Sequence, residues 1–191
     1  LHLSVHSFPT RRSSDLYAGV VYDLDGTVVR LAVDWEAATE AVAEIYQGAG
    51  VEPPGDLWTM LDVAPEHDLG AAVEEAVASH ERAGARESIR LPSADELAAT
   101  DVPAGICSLN AESACRIALA EHGLEDAVDA VVGRDTVAER KPDPEPLLAT
   151  IDRLSLRPSE VLFVGDTETD AETALRAGTA FRYVDGGPVE Y

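Results

Sequence analysis

Short apolar runs alternate with longer amphipathic stretches along most of this chain, and that alternation leaves few folds open. Residues 17–22, 102–107, 128–132, 161–164 and 180–184 are apolar runs too short for helices and rich in Val, Ile, Phe and Tyr, which predicts strands. Residues 111–122, 144–154 and 168–177 carry apolar residues at helical spacing. Gly123 and Gly178 follow two of these stretches as stop signals, and Pro144 fits the first turn of the third. Buried strands separated by helices predict a parallel sheet covered on both faces. The expected fold is therefore α/β, a Rossmann-like doubly wound parallel sheet. Ligands of such sheets bind at the carboxyl ends of the strands.

One region breaks the alternation. Between Leu31 and about Leu91 there is no strand signal. Asp34 is a plausible N-cap for a helix striped by Trp35, Ala38, Val42, Ile45 and Tyr46, with Gly48 and Gly50 at its end. Pro53-Pro54-Gly55 is a turn, and Leu57, Trp58, Met60 and Leu61 suggest a short helix before Pro65. Leu69, Val73, Ala76, Val77 and His80 stripe a second long helix ending near Gly84. The expected organisation is a core of residues 17–30 and 91–191 with a small all-helical unit, residues 31–90, inserted after the first strand. Trp35 and Trp58 are expected in the interior of that unit, with His67 and His80 packed or at its surface. After it, Ser93-Ala94-Asp95-Glu96 has the form of a capping box opening a short helix. Residues 1–16 differ from the rest: no acid occurs through Ser14 and no periodicity is present, so they read as a non-native leader.

Composition narrows the partners. With 191 residues, of which 46% are hydrophobic, the chain can bury one good core and a small appended unit. No apolar run approaches the roughly 20 residues of a membrane span. A net charge of −22 repels nucleic-acid phosphates and anionic lipid, so neither is an expected partner. Of the 14 basic residues only Lys141 is a lysine. Acid excess with almost no lysine suggests adaptation to high salt, where screening shortens to ~3 Å at 1 M. Cys107 and Cys115 lack metal-ligand spacing, which fits a reduced, cytoplasmic setting. Either a monomer or a homodimer is compatible with these features.

The residues able to carry chemistry cluster at predicted strand ends. Asp23 and Asp25, two apart on an extended segment, face the same side, and Gly26 lets the chain turn away. Like charges at the end of a buried strand are costly unless a cation or a phosphoryl reaction uses them. Asp166 and Asp170 follow the run 161–164, Ser108 ends the run 104–107, and Lys141 precedes a predicted helix. Bland readings exist for each: a strand-end acid, a helix cap, a solvated lysine. Arg30, Arg82, Arg86 and Arg90 could meet a substrate carboxylate or serve in ion pairs.

Asp23-Leu24-Asp25-Gly26-Thr27, Ser108 after its strand, Lys141-Pro142-Asp143-Pro144 and Gly165-Asp166-Thr167-Glu168-Thr169-Asp170 stand in order along the chain. Together they resemble the four motifs of the haloacid dehalogenase superfamily, in its phosphatase branch, over about residues 17–186. The helical insertion matches that family's cap domain in position. The resemblance implies a Mg²⁺-dependent phosphatase acting on a small phosphorylated metabolite. Asp23 would be the nucleophile and Asp25 the general acid and then base. Mg²⁺ would be held by the Asp23 carboxylate, the Asp25 backbone carbonyl and Asp166, with Asp170 binding through water or orienting the others. Ser108 and Lys141, with the backbone N–H groups of Leu109 and Asn110, would hold the phosphoryl oxygens; Thr27 and the Asn110 side chain are supporting candidates. The stretch from Lys141 to Leu148 is similar to that of phosphoglycolate phosphatases, which suggests phosphoglycolate as a substrate. Competing expectations are a phosphomutase of the β-phosphoglucomutase kind and, in another class, a phospho-accepting receiver module.

Overall fold

The computed structural model describes residues 16–184. The expectation of a foreign leader lies, except for Leu16, outside the described residues. Five parallel strands form the central sheet: β1 (Gly19–Tyr22), β4 (Ala104–Cys107), β5 (Ala130–Val132), β6 (Val161–Gly165) and β7 (Ala180–Tyr183), in the order β5-β4-β1-β6-β7. The chain moves from β1 to β4 and β5 on one side, then returns to β6 and β7 on the other. That reversal puts a crevice at the carboxyl end of β1.

Alternation along the strands builds two cores. Val20, Tyr22, Ile106, Leu162 and Val164 face helices α4 (Ser93–Ala98) and α5 (Glu112–Glu121), where Ala94, Leu97, Ala114, Cys115 and Leu119 pack on them. Val21, Cys107, Val161 and Phe163 face the other way, onto Leu147 and Ile151 of α6 (Glu145–Arg153) and Ala174 and Ala177 of α7 (Glu168–Ala177). Both faces are covered, which is why these strands are apolar throughout rather than alternating.

Between β1 and β4 the chain forms α1 (Trp35–Gly48), α2 (Leu57–Val63), a 3₁₀ turn (Ala64–His67) and α3 (Gly70–Arg86). They share a separate apolar cluster of Ala38, Val42, Tyr46, Leu57, Met60, Ala64, Val73 and Val77. Asp34 caps α1 by accepting the Ala37 N–H at 2.9 Å, as its position suggested. The sequence reading missed one element here. Val29–Arg30 (β2) and Ile89–Arg90 (β3) pair antiparallel where the chain leaves and re-enters the core. Two-residue strands are too short for alternation to register.

Two further expectations are corrected. Pro92, with φ −55° and ψ −35°, already starts the turn of α4, so Ser93 lies inside the helix and caps nothing. The first-turn acids pair elsewhere, Asp95 with Arg90 at 2.7 Å and Glu96 with Arg182 at 2.7 Å. Trp35 and Trp58 are 37% and 38% exposed, their ring centroids 6.0 Å apart, rather than in the interior of the helical cluster. His67 does pack, edge-on to Tyr46 at 6.0 Å.

Helix α3 passes close to the irregular segment leading into α1. A Cβ on Gly84 would stand 2.7 Å from the Val33 nitrogen and 2.9 Å from the Ala32 oxygen. The Ala32 N–H donates to the Gly84 carbonyl at 3.1 Å, so the contact is backbone on backbone. Gly84→Ala should therefore destabilise the chain despite its helix-propensity gain of ~1 kcal/mol, because overpacking of this kind costs about 1–3 kcal/mol. Thermal melts by circular dichroism should show a lower midpoint; an unchanged or raised one would mean the two segments can separate freely.

Candidate active site

The carboxyl end of β1 gathers residues from four distant segments. Asp23 follows β1 directly, its N–H donating to the Val164 carbonyl of β6 at 2.9 Å, which fixes its side chain over the crevice. Lys141 reaches the same point from the loop before α6. Its Nζ donates to Asp23 Oδ1 at 2.7 Å, to Asp170 Oδ1 at 2.6 Å and to the Cys107 carbonyl at 3.2 Å, and it lies 5.6 Å from the Phe163 ring centroid. Thr27 donates to Asp166 Oδ1 at 3.3 Å and lies 3.5 Å from Asp23 Oδ2. Carboxylate oxygens of Asp23, Asp166 and Asp170 come within 4.8 Å of one another.

The turn after β1 makes this packing possible. Gly26 adopts φ +86°, and a Cβ there would lie 2.2 Å from Asp166 Oδ2, so only glycine allows the two acidic segments to meet. Gly165 likewise faces the Asp170 carboxyl group: a Cβ there would lie 2.7 Å from its Cγ. Asp170 also belongs to a capping box: Thr167 is the N-cap of α7, and its hydroxyl and N–H donate to Asp170 Oδ2 at 2.7 and 3.2 Å. One Asp170 oxygen thus starts the helix while the other faces Lys141.

Burial and charge shape the protonation of these groups. Burial pushes the Asp23 carboxyl well above the usual carboxylate range against the pull of Lys141, with Asp170 and Asp166 adding to the rise. Burial, then the Asp170 charge, raises Asp166. Burial opposes the Lys141 ammonium, but Asp23 and Asp170 outweigh it and hold the pKa above the ordinary lysine range. Asp25 stands apart from the cluster. Its Oδ1 accepts the Leu31 N–H at 2.9 Å, and burial raises its carboxyl against that bond and the nearby Arg30 charge.

Ser108 is buried next to Cys107, whose carbonyl accepts from Lys141, and its hydroxyl donates to Asn110 Oδ1 at 3.1 Å while accepting the Asn110 N–H at 3.1 Å. It does not cap α5, whose N-cap is Ala111. Leu109 is half-buried, its carbonyl taken by Arg134 at 2.8 Å. The Asn110 amide is turned toward Ser108 and toward Glu81, at 3.1 Å. Glu81 and Arg134, both buried, went unnoticed in the sequence. The available signal was position: Glu81 continues the spacing of Val73 and Val77 on α3, where an apolar residue is expected. A cleft of about 300 Å³, lined by Gly26, Thr27, Arg30, Pro92 and Asp166 among others, opens beside the acids. Arg82 and Arg90 are engaged in ion pairs with Glu75 and Asp95.

An α/β sheet whose switch point holds three converging carboxylates and a buried lysine, with the profile of haloacid dehalogenase-like hydrolases matching residues 83–184, defines the class: this chain belongs to that hydrolase family. Among its relatives are a phosphoglycolate phosphatase of Cereibacter sphaeroides, 34% identical over 187 residues and covering 85% of this chain and 83% of its own length, and one of Pectobacterium atrosepticum, 31% identical over 180 residues and covering 84% and 76%. Similar solved folds include CbbY of Rhodobacter sphaeroides in complex with phosphate, at TM-score 0.64 and 18% identity over 88% of this chain and 86% of that one. A HAD phosphatase of Thermococcus onnurineus matches at TM-score 0.55 and 22% identity over 86% and 85%. Among the described residues no helix is long and apolar enough to cross a membrane.

Proposed function

We propose that this chain hydrolyses a small phosphomonoester through an aspartyl-phosphate on Asp23, with phosphoglycolate the first candidate substrate. The observation that carries the reading is the Lys141 ammonium held between Asp23 and Asp170 within the three-acid cluster. A carboxylate oxygen of Asp23 attacks phosphorus and the ester P–O bond breaks. Asp25, whose burial favours the protonated form, gives its proton to the departing alkoxide. The Asp25 carboxylate then takes a proton from water as that water attacks phosphorus, releasing inorganic phosphate and restoring Asp23. Lys141 donates to the phosphoryl oxygens, and the Ser108 hydroxyl turns its one proton from Asn110 Oδ1 to do the same.

The donor set suits Mg²⁺: all three groups in the cluster are carboxylates, hard oxygen ligands on partly fixed side chains. Asp23 and Asp166, together with the Asp25 backbone carbonyl, would hold it, while Asp170, its oxygens engaged by Lys141 and Thr167, would bind through water or orient the others. When bound it offsets the repulsion between an anionic nucleophile and an anionic phosphate. We assign residues 31–90 the role of a cap over this end of the sheet. Arg30, on the cleft beside Asp166, suits a second anionic group such as a carboxylate.

Steady-state release of phosphate tests the reading. The purified chain with Mg²⁺ is expected to hydrolyse p-nitrophenyl phosphate and phosphoglycolate without a bisphosphate activator, and EDTA should lower the rate by about 100-fold or more. Hydrolysis should persist in molar KCl if the acidic surface is a high-salt adaptation. Turnover insensitive to EDTA, or release that needs a bisphosphate, would contradict the proposal.

A further inference from the structure

Among the described residues Glu81 is the most deeply buried charge outside the acid cluster: the side chain is 0% exposed, on a helix that contributes none of the reacting groups. It is fully partnered. Oε1 accepts from Arg134 at 2.7 Å and from the Asn110 amide at 3.1 Å; Oε2 accepts from the Ala111 N–H at 2.9 Å and from Arg134 at 3.1 Å. Arg134 is itself buried and continues to the Leu109 carbonyl at 2.8 Å and to Glu74 at 2.6 Å. Asn110 passes the constraint to the Ser108 hydroxyl. One carboxylate from α3 thus fixes four consecutive residues: Asn110 and Ala111 directly, Leu109 through Arg134 and Ser108 through Asn110.

Stability alone is a poor reason for such an arrangement. A buried ion pair roughly breaks even against well-packed apolar side chains of similar volume. What the network supplies is direction, since the Leu109 carbonyl, both ends of the Asn110 amide and the Ala111 N–H are each assigned a partner. The acids and Lys141, by contrast, are set by β1, β6, α7 and the loop before α6, none of which touches Glu81 through a hydrogen bond among the described residues. Apart from the Cys107 carbonyl at the end of β4, which accepts from Lys141 at 3.2 Å, the two halves of the site therefore have separate supports.

Building on the phosphoester reading, we propose that Glu81, clamped by Arg134, is a positioning residue that holds the Ser108–Ala111 loop in the conformation presenting the Ser108 hydroxyl to the phosphoryl oxygens. The helical segment then takes part in phosphoryl binding without contacting the phosphoryl group. Loss of Glu81 alters phosphate handling and leaves metal affinity in place.

Glu81→Gln keeps the shape and removes the charge and one acceptor oxygen. Its kcat for p-nitrophenyl phosphate should fall about tenfold or more and the inhibition constant of inorganic phosphate should rise by a similar factor. The Mg²⁺ concentration for half-maximal rate should move less than about twofold. Asn110→Ala cuts the link to Ser108 while Glu81 keeps Arg134 and Ala111. It should reproduce the kinetic defect with a smaller fall in melting temperature, and the double variant should be no slower than Glu81→Gln. If Glu81→Gln does not fold, Asn110→Ala together with Arg134→Lys carries the test. Folded variants with parental kcat and phosphate inhibition, changed only in melting temperature, would overturn the proposal, as would additive losses in the double variant. A parent chain that releases phosphate from no ester would sink the phosphoester reading instead. The clamp is then decided by the Ala111 amide, expected downfield and slow to exchange by NMR; a resonance identical in Glu81→Gln, or in Arg134→Lys if the former does not fold, overturns it.

Discussion

Asp23→Asn is expected to lower turnover of p-nitrophenyl phosphate by about 10⁴-fold or more while leaving the protein folded. An amide oxygen can still accept the Lys141 bond seen at 2.7 Å, so the local geometry has a reason to persist. It cannot form the acyl-phosphate, so the lost capacity is chemical rather than structural. Stability should hold or rise. The Asp23 carboxyl is pushed upward chiefly by burial, so the fold disfavours its charged form near neutral pH. Neutral asparagine removes that penalty along with the repulsion from Asp170 and Asp166. Steady-state kinetics and a thermal melt of the same sample check both halves. Parental turnover in a folded variant would remove Asp23 from the role of nucleophile.

Lys141→Met should damage both stability and rate. The ammonium is buried, the ion pairs to Asp23 and Asp170 are 2.7 and 2.6 Å long, and no other cationic side chain bonds to either acid among the described residues. Methionine fills much of the volume but leaves two carboxylates facing each other in a buried site. Removing one partner of a buried pair typically costs about 3–5 kcal/mol, to be read from urea unfolding in the absence of metal. Turnover should fall about 10²–10³-fold through loss of a preorganised donor to the phosphoryl oxygens. Lys141→Arg should not rescue it, since a planar guanidinium cannot take the place of a compact ammonium with Phe163 at 5.6 Å. A folded Lys141→Met variant with unchanged kcat and stability would mean the lysine is a bystander.

Most of the sheet was legible because its strands are covered on both faces. Val20 to Tyr22 and Val161 to Val164 are apolar at every position, and each is followed within two residues by an acid of the cluster. The convergence of Asp23, Lys141, Asp166 and Asp170 was legible too, because all sit at strand ends or helix starts that a parallel sheet brings to one edge. What escaped depended on single contacts. The β2–β3 pair has two residues per strand, below any periodic signal. The capping box at Ser93 failed because Pro92 entered helical geometry first. Trp35 and Trp58 lie at helical spacing that suggested an interior, yet they meet each other near the surface. Glu81 looks in sequence like any solvated helix acid; only its register with Val73 and Val77 betrays it, and only the fold brings Arg134, 53 positions away, to meet it.

The ribbon of Val29–Arg30 and Ile89–Arg90 puts both ends of the helical segment side by side in one antiparallel pair. A graft at this point spans no more than a tight hairpin connection, for which about two residues suffice. The five-stranded scaffold would keep its strand order under such an exchange. A transplanted cassette would nonetheless leave the Asn110 side-chain amide and the Ala111 N–H without an acceptor, and Arg134 with the Leu109 carbonyl alone, unless it carried an acid of its own at the place of Glu81. Modularity of the backbone is thus not modularity of the chemistry: the seam lies at the ribbon, but the dependency crosses it.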